Sequence, residues 1–404
     1  MRNYASVIVR KGVNVQQGQE VVITASVDDA YFVKYVIEEA YKAGAKYVTV
    51  DWSFQEKSKL DYNYASVDAL AEMPEWAIKK LEHRVNTLPA QIHIVSADPD
   101  GMKGVDQEKV MSVRKIVGPI TRKYRDMMDN KFQWTIAGIP SDAWSKKVFP
   151  ELEVEEAKKA LWEAILKVSR IDDNSIQNWT DHNKNMHDKC QTLNDLDLES
   201  LHYTNAKGTD FTVGLISGVV FEGGSSKTVS GVEYNPNIPT EECFTSPNKY
   251  SANGIVYSSK PLSVMGHLVD DFAFVFENGK IVEVKARNEE EKNMLEKLIS
   301  LDEGARMLGE VALVPYSSPI SLSGVLFYNT LYDENAACHL AIGAGFPDTI
   351  KGFDKMSEEE IKKFDLNESM IHVDFMIGTK DLDIVGTTRT GKQVQIFKDG
   401  NWSI

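Results

Sequence analysis

Residues 20–52 read EVVITASVDDAYFVKYVIEEAYKAGAKYVTVDW, and their pattern decides the fold class of the first half of the chain. The run EVVIT at 20–24 is apolar and rich in β-branched residues, which predicts a strand. Over 28–43 the apolar side chains fall at Phe32, Val33, Val36, Ile37 and Ala40, the spacing of one helix face. Gly44 closes that helix, because glycine enters the conformation that ends a helix without a Cβ penalty. KYVTVDW at 46–52 is the next strand. Strand, helix and strand in that order form a βαβ unit, which pairs its strands in parallel.

Outward from this unit the same alternation continues. Helices are expected near 64–83, 108–128 and 154–169, and apolar strands at 92–97 (IHIVSA) and 134–138 (WTIAG). A doubly wound parallel sheet is the arrangement these elements predict. The unit carries no GxGxxG, so nothing in it supports a dinucleotide site. The stretch 178–197 is polar, rich in Asn, Asp, His and Lys, and reads as the boundary between an α/β domain at 1–190 and a second domain at 191–404. Beyond it strands dominate, separated by Gly-, Asn- and Pro-rich turns, so the second domain is expected to be β-rich α+β. No internal repeat or low-complexity segment interrupts the chain.

At 404 residues and 45.3 kDa, with 42% hydrophobic residues, the chain has material for two full cores. A net charge of −15 argues against nucleic acid as a partner and against an anionic membrane surface, both of which need basic patches. Much of that charge lies in solvated runs such as Glu289-Glu290-Glu291. The start, Met1-Arg2-Asn3-Tyr4 with Lys11 close behind, does not read as a signal peptide, and no run approaches the length of a membrane span. Three cysteines, Cys190, Cys243 and Cys338, are odd in number and widely spaced, which fits a reducing, cytoplasmic compartment.

The residues that carry chemistry lie in the second half. In IHVDFMIG at 371–378, Val373, Phe375 and Ile377 alternate with His372, Asp374 and Met376, the period of a strand. Residues two apart on a strand share a face, so an imidazole and a carboxylate stand side by side. Buried polar groups need partners, and a divalent metal is one; a plain His–Asp hydrogen bond on a half-exposed strand is the other reading. Glu310 sits inside a second strand-like run, GEVALV at 309–314. His339 lies in DENAACHLAIG at 333–343, which reads as a helix with Asp333 near its N-cap and Gly343 near its end. Glu242 follows in PTEECFT at 239–245.

In order, the segments NIPTEECFTSP (237–247), GEVALVP (309–315), FYNTLYDENAACHLAIG (327–343) and IHVDFMIG (371–378) resemble the thermophilic-type metalloaminopeptidases, the aminopeptidase T / aminopeptidase S family. Softer likeness extends through LHYTNAKGTDFTVGL (201–215) and GTTRTGKQVQIFKDGNW (386–402). The resemblance implies two divalent metal ions with Glu242, Glu310, His339, His372 and Asp374 as ligands, Glu334 as a further one, peptide substrates, and a homodimer. Mixed carboxylate and imidazole donors suit zinc, cobalt, manganese or magnesium. Glu310, in mid-strand, is expected to bridge the ions, and a metal-activated water to attack the first peptide carbonyl. Glu241 is the candidate for the substrate ammonium, although strand neighbours point to opposite faces. No HExxH motif supports a single-zinc protease.

One position departs from the family pattern, which has an active-site tyrosine seven residues after the histidine; here it is Phe346. A phenyl ring cannot donate a hydrogen bond to an oxyanion, so either the ring suffices or Tyr328 or Tyr332 supplies the hydroxyl. A catalytically weakened metal-binding homologue with a regulatory or scaffolding role is the alternative, and a small-molecule-binding α/β protein with structural acids a third. GTTRTGK at 386–392 has phosphate-loop spacing but ends in Gln393 and precedes no helix. Asp181-His182 and His187-Asp188 could mimic a metal cluster, but their polar, aperiodic context reads as linker.

Overall fold

In the computed structural model, which describes residues 1–264 and 267–404, strand Glu20–Ser26 pairs in parallel with Tyr47–Ser53 on one side and Ala90–Val95 on the other. Helix Ala30–Lys42 makes the crossover and buries Phe32, Val33, Val36 and Ala40, the face its spacing predicts. A capping box between Ser26 and Asp29 starts the 3-10 turn Val27–Asp29 that leads into it, and Gly44 at φ 102° ends it. Ala90–Val95 continues in parallel to Trp134–Gly138, and that strand to the short Asn237–Ile238. The sheet therefore changes winding direction at its first strand, the doubly wound arrangement.

The chain divides into two units. The first comprises residues 1–181, 225–239 and 326–331; the second comprises 182–224, 240–325 and 332–404. The second unit is built from antiparallel sheets. Eight strands run from Lys280–Lys285 at one edge, through Leu198–Thr204 in the middle, to Asn401–Trp402 at the other. Five more run in the order His372–Met376, His339–Gly343, Leu308–Leu313, Cys243–Thr245, Glu222–Gly223.

The core of the second unit joins the apolar face of the five-stranded sheet to the eight-stranded one. Val311, Leu313, Leu340, Ile342 and Phe375 meet Tyr203, Phe211, Val256, Phe274 and Ile384 in one buried cluster. Phe274 and Phe375 pack edge to face, their centroids 5.2 Å apart. Burying one such ring is worth about 1.5–3 kcal/mol, enough to fix which side of its strand faces inward.

Three sequence expectations change. The helix expected near 64–83 is two, Val67–Ala71 and Glu75–Thr87. Residues 181–188 are not a linker: helix Ser175–Asp195 runs through them and buries Trp179, Asn183, Met186, Cys190 and Leu193. Those positions are spaced at alternating fours and threes, a helical stripe thinned by the polar residues around it. Nor does His339 lie on a helix. A short helix, Thr330–Asp333, and a single turn, Glu334–Ala336, precede strand His339–Gly343. That strand is buried on both faces, so it shows no alternation, and its Ala-rich approach mimics helix composition.

Candidate metal centre

Strand register brings the predicted residues together. Glu310 pairs with Ala341 and Ala341 with Asp374, so these side chains form one row across three strands. In the next row Ala312 pairs with His339 and His339 with Met376, while Gly343 pairs with His372. The alternate residues are those already placed in the core, so Glu310, His339, His372 and Asp374 project from the opposite face. Ala341, between Glu310 and Asp374, contributes only a methyl and leaves the floor of the site open. Glu242 enters from the loop just before strand Cys243–Thr245.

Two glycines permit this geometry. A bulge falls between Leu308 and Glu310, and a Cβ on the intervening Gly309 would lie 2.2 Å from the Ala344 carbonyl. Gly343, at φ 104°, would place one 2.0 Å from the Ile371 carbonyl. Gly309 lets strand Leu308–Leu313 lie close to the end of strand His339–Gly343, and Gly343 lets strand His372–Met376 approach from the other side.

Two overlapping triads result. Donor atoms of Glu242, Glu310 and His339 lie within 4.8 Å of one another, and so do those of Glu310, His372 and Asp374. Glu310 belongs to both. His339 Nε2 is 3.2 Å from Glu242 Oε2, and His372 Nε2 is 3.1 Å from both Glu310 Oε2 and Asp374 Oδ1. Each imidazole turns Nδ1 to a backbone carbonyl, His339 to Ala337 at 3.2 Å and His372 to Ala344 at 2.8 Å. A carbonyl only accepts, so Nδ1 carries the hydrogen and Nε2 faces the carboxylates, the orientation that a supporting carbonyl imposes on metal-binding histidines.

The electrostatics point to a cation. Burial opposes charge on His372, but the Asp374 and Glu310 carboxylates outweigh it and hold its pKa up at about 11. His339 likewise sits at about 10, burial being outweighed by Glu242 and Glu310. Burial pushes Glu310 up to about 7 against the pull of His372. Desolvation also lifts Glu334 well above the carboxylate range, and Glu242 and Asp374 add to it, which places Glu334 beside the cluster. Burial would raise Asp374, yet contact with His372 and the charge of His339 hold it low. The Nε2–H of His372 is given to Glu310, and Asp374 Oδ1 remains buried without a hydrogen-bond donor. In both histidines a proton on Nε2 stands where a metal ion would bind, and the lone Asp374 oxygen is an acceptor that a cation would satisfy. The donor set fits hard or borderline divalent ions.

The remaining predicted residues take distinct places. Phe346 lies against His372 with centroids 4.8 Å apart and against Phe244 at 5.5 Å. Glu241 is buried, its backbone N–H donating to Asn335 Oδ1 at 2.7 Å, and it belongs to neither triad. Tyr332 is fully buried in this unit, whereas Tyr328, at φ 54°, belongs to the first unit beneath Lys147 Nζ. Segment 386–392 is a hairpin between strands Asp383–Thr388 and Gln393–Lys398, not a phosphate loop. Sequence reading missed Asn335 entirely and set His182 aside; His182 Nε2 lies 2.8 Å from the Thr240 carbonyl.

Comparison with known proteins bears on this geometry. The model of the thermophilic metalloprotease (M29) family matches residues 1–402. Aminopeptidase AmpS of Bacillus subtilis is 46% identical over 100% of this chain and 98% of its own length. Aminopeptidase T of Thermus thermophilus is 36% identical, again over 100% of this chain and 98% of its own. The solved structure of wild-type AmpT from Thermus thermophilus superposes with a TM-score of 0.90 at 34% identity, covering 100% of this chain and 98% of that one.

Proposed function

The chain belongs to the thermophilic metalloprotease (M29) family, and on that premise we propose that it removes single residues from peptide N-termini at a centre of two divalent ions. Family and named relatives make it a metal-dependent aminopeptidase, a hydrolase of peptide bonds. The relatives, aminopeptidases by name, do not favour the regulatory or scaffolding alternative. The observation that carries the two-ion reading is the sharing of Glu310 between two triads.

In this reading Glu242 and His339 would hold one ion and His372 and Asp374 the other, with Glu310 shared between them and Glu334 completing the set. The chemistry a divalent pair supplies here is activation of water and polarisation of the scissile carbonyl. Zinc, cobalt, manganese and magnesium all suit the ligands. The Ala337 and Ala344 carbonyls hold both imidazoles with Nε2 turned inward. Phe346 packs against the His372 ring, and Phe244 packs in turn against Phe346. Phe346 offers no hydrogen to an oxyanion. Glu241, a buried carboxylate one residue from Glu242, is the candidate acceptor for the substrate ammonium.

A cytoplasmic homodimer completes the proposal. The three buried free thiols fit a reducing compartment, and light scattering would separate dimer from monomer. The test of function is an assay on aminoacyl chromogenic substrates before and after chelation and dialysis. Activity should vanish with the metal and return when zinc, cobalt, manganese or magnesium is restored. Full turnover by protein shown to be metal-free would overturn the reading.

A further inference from the structure

We infer that His182 and Asn335 are positioning residues that fix the Glu242 carboxylate by clamping the peptide between Thr240 and Glu241 at both ends. The inference rests on the assignment of Glu242 as a metal ligand. Glu242 lies just outside strand Cys243–Thr245, at the end of its ladder. Thr240, Glu241 and Glu242 are nonetheless buried, at 4%, 4% and 8% exposure. A buried peptide outside regular structure must find side-chain partners for both its polar groups.

It finds one on each side. The Thr240 carbonyl accepts from His182 Nε2 at 2.8 Å, which fixes the hydrogen of that imidazole on Nε2. The next atom pair of the same peptide, the Glu241 N–H, donates to Asn335 Oδ1 at 2.7 Å. Asn335 is fully buried; its Nδ2 donates to Glu334 Oε1 at 3.4 Å, and its own carbonyl accepts from Ser318 Oγ at 3.2 Å. One amide thus ties the loop of Glu242 to the carboxylate of Glu334. His182 is carried by helix Ser175–Asp195, anchored through buried Met186 and Cys190. Its partner peptide is one residue from Glu242, whose Oε2 stands 3.2 Å from His339 Nε2. Metal ligands must be held to about 0.5 Å, so releasing either end of this peptide blurs the triad.

The test uses the full chain, stripped of metal and titrated with zinc against a chromophoric chelator. His182→Ala should weaken one of the two zinc sites about 10- to 100-fold while the other stays near wild type. His182→Gln, whose amide N–H can replace Nε2–H, should recover most of that loss. Asn335→Ala should weaken the same site, and the double variant should lose less than the product of the two, because both act on one peptide. Should His182→Ala fail to fold, Asn335→Ala and His182→Gln carry the same comparison. Wild-type zinc affinity in both alanine variants overturns the clamp, as does a Gln variant no better than Ala. If Glu242→Gln binds zinc as tightly as wild type, the ligand assignment falls first, and the clamp with it.

Discussion

Replacing Glu310 with Gln tests the centre more sharply than any other change, because its expected signature is a pattern and not only a loss. Glu310 is 4% exposed and is the one donor common to both triads. Two unit charges about 4 Å apart interact by about 4 kcal/mol at an effective dielectric of about 20. Glutamine keeps an oxygen dipole and the site relaxes, so about 2–3 kcal/mol is expected at each ion, roughly 30- to 160-fold in affinity. Both ions should weaken together. Asp374→Asn, in one triad only, should weaken one and leave the other close to its wild-type constant. Competition titration with a chelator, followed by metal analysis of dialysed protein, separates the two patterns. A Glu310→Gln protein that loses one ion and binds the second normally would refute the bridging role, whatever happens to turnover.

Further outcomes follow from the same site. Metal-free protein should lose stability as pH rises: His339 and His372, raised to about 10 and 11, stabilise fully below about 6.5 and lose this through their folded values, and Glu310, raised to about 7, adds a fall between about 4.5 and 7. Zinc must displace those Nε2 protons, so its affinity should climb with pH over the same range; calorimetry at pH 8 in two buffers of different ionisation enthalpy should detect released protons, and none released would contradict the imidazole ligands. Phe346→Tyr should raise turnover by up to 10²–10³-fold while changing metal affinity little, and unchanged or lower kcat would show that a hydroxyl there has no catalytic part. Gly343→Ala, with φ 104° and a Cβ 2.0 Å from the Ile371 carbonyl, should cost several-fold in metal affinity and lower Tm; a variant that melts and binds like wild type would mean the strand His372–Met376 does not need that close approach.

The parts of this fold that show in the sequence are those with one wet and one dry side. Helix Ala30–Lys42 and strand His372–Met376 alternate apolar and polar residues at their own periods, and both form where those periods place them. Glu310 was legible for another reason: strand Leu308–Leu313 is buried throughout, but a lone acid in an apolar run stands out. Strand His339–Gly343 was not, because a strand buried on both faces has no period, and Ala336, Ala337 and Ala341 lean towards helix until neighbouring strands decide. Helix Ser175–Asp195 was hidden by dilution, its buried positions separated by Asn, Asp, His and Lys. The ligand set came through likeness to a family, since no spacing along the chain predicts that residues so far apart share a face. Asn335 gave no signal at all, because its part depends on a loop that packs over it.

The order of ligands along the chain has a consequence for how the protein is made. Glu242, Glu310, His339 and the His372–Asp374 pair come from four separate segments, and the last of them is synthesised well after the first. If these residues hold two ions as proposed, no single segment suffices, and a chain cut before residue 372 retains one triad at best. On the proposed assignment an ion would be a late arrival, captured when the sheet has closed, and would then cross-link stretches whose meeting cost the most loop-closure entropy. During refolding, metal uptake should trail the recovery of β-structure, and the ions would then act as a seal on a finished scaffold and not as its seed.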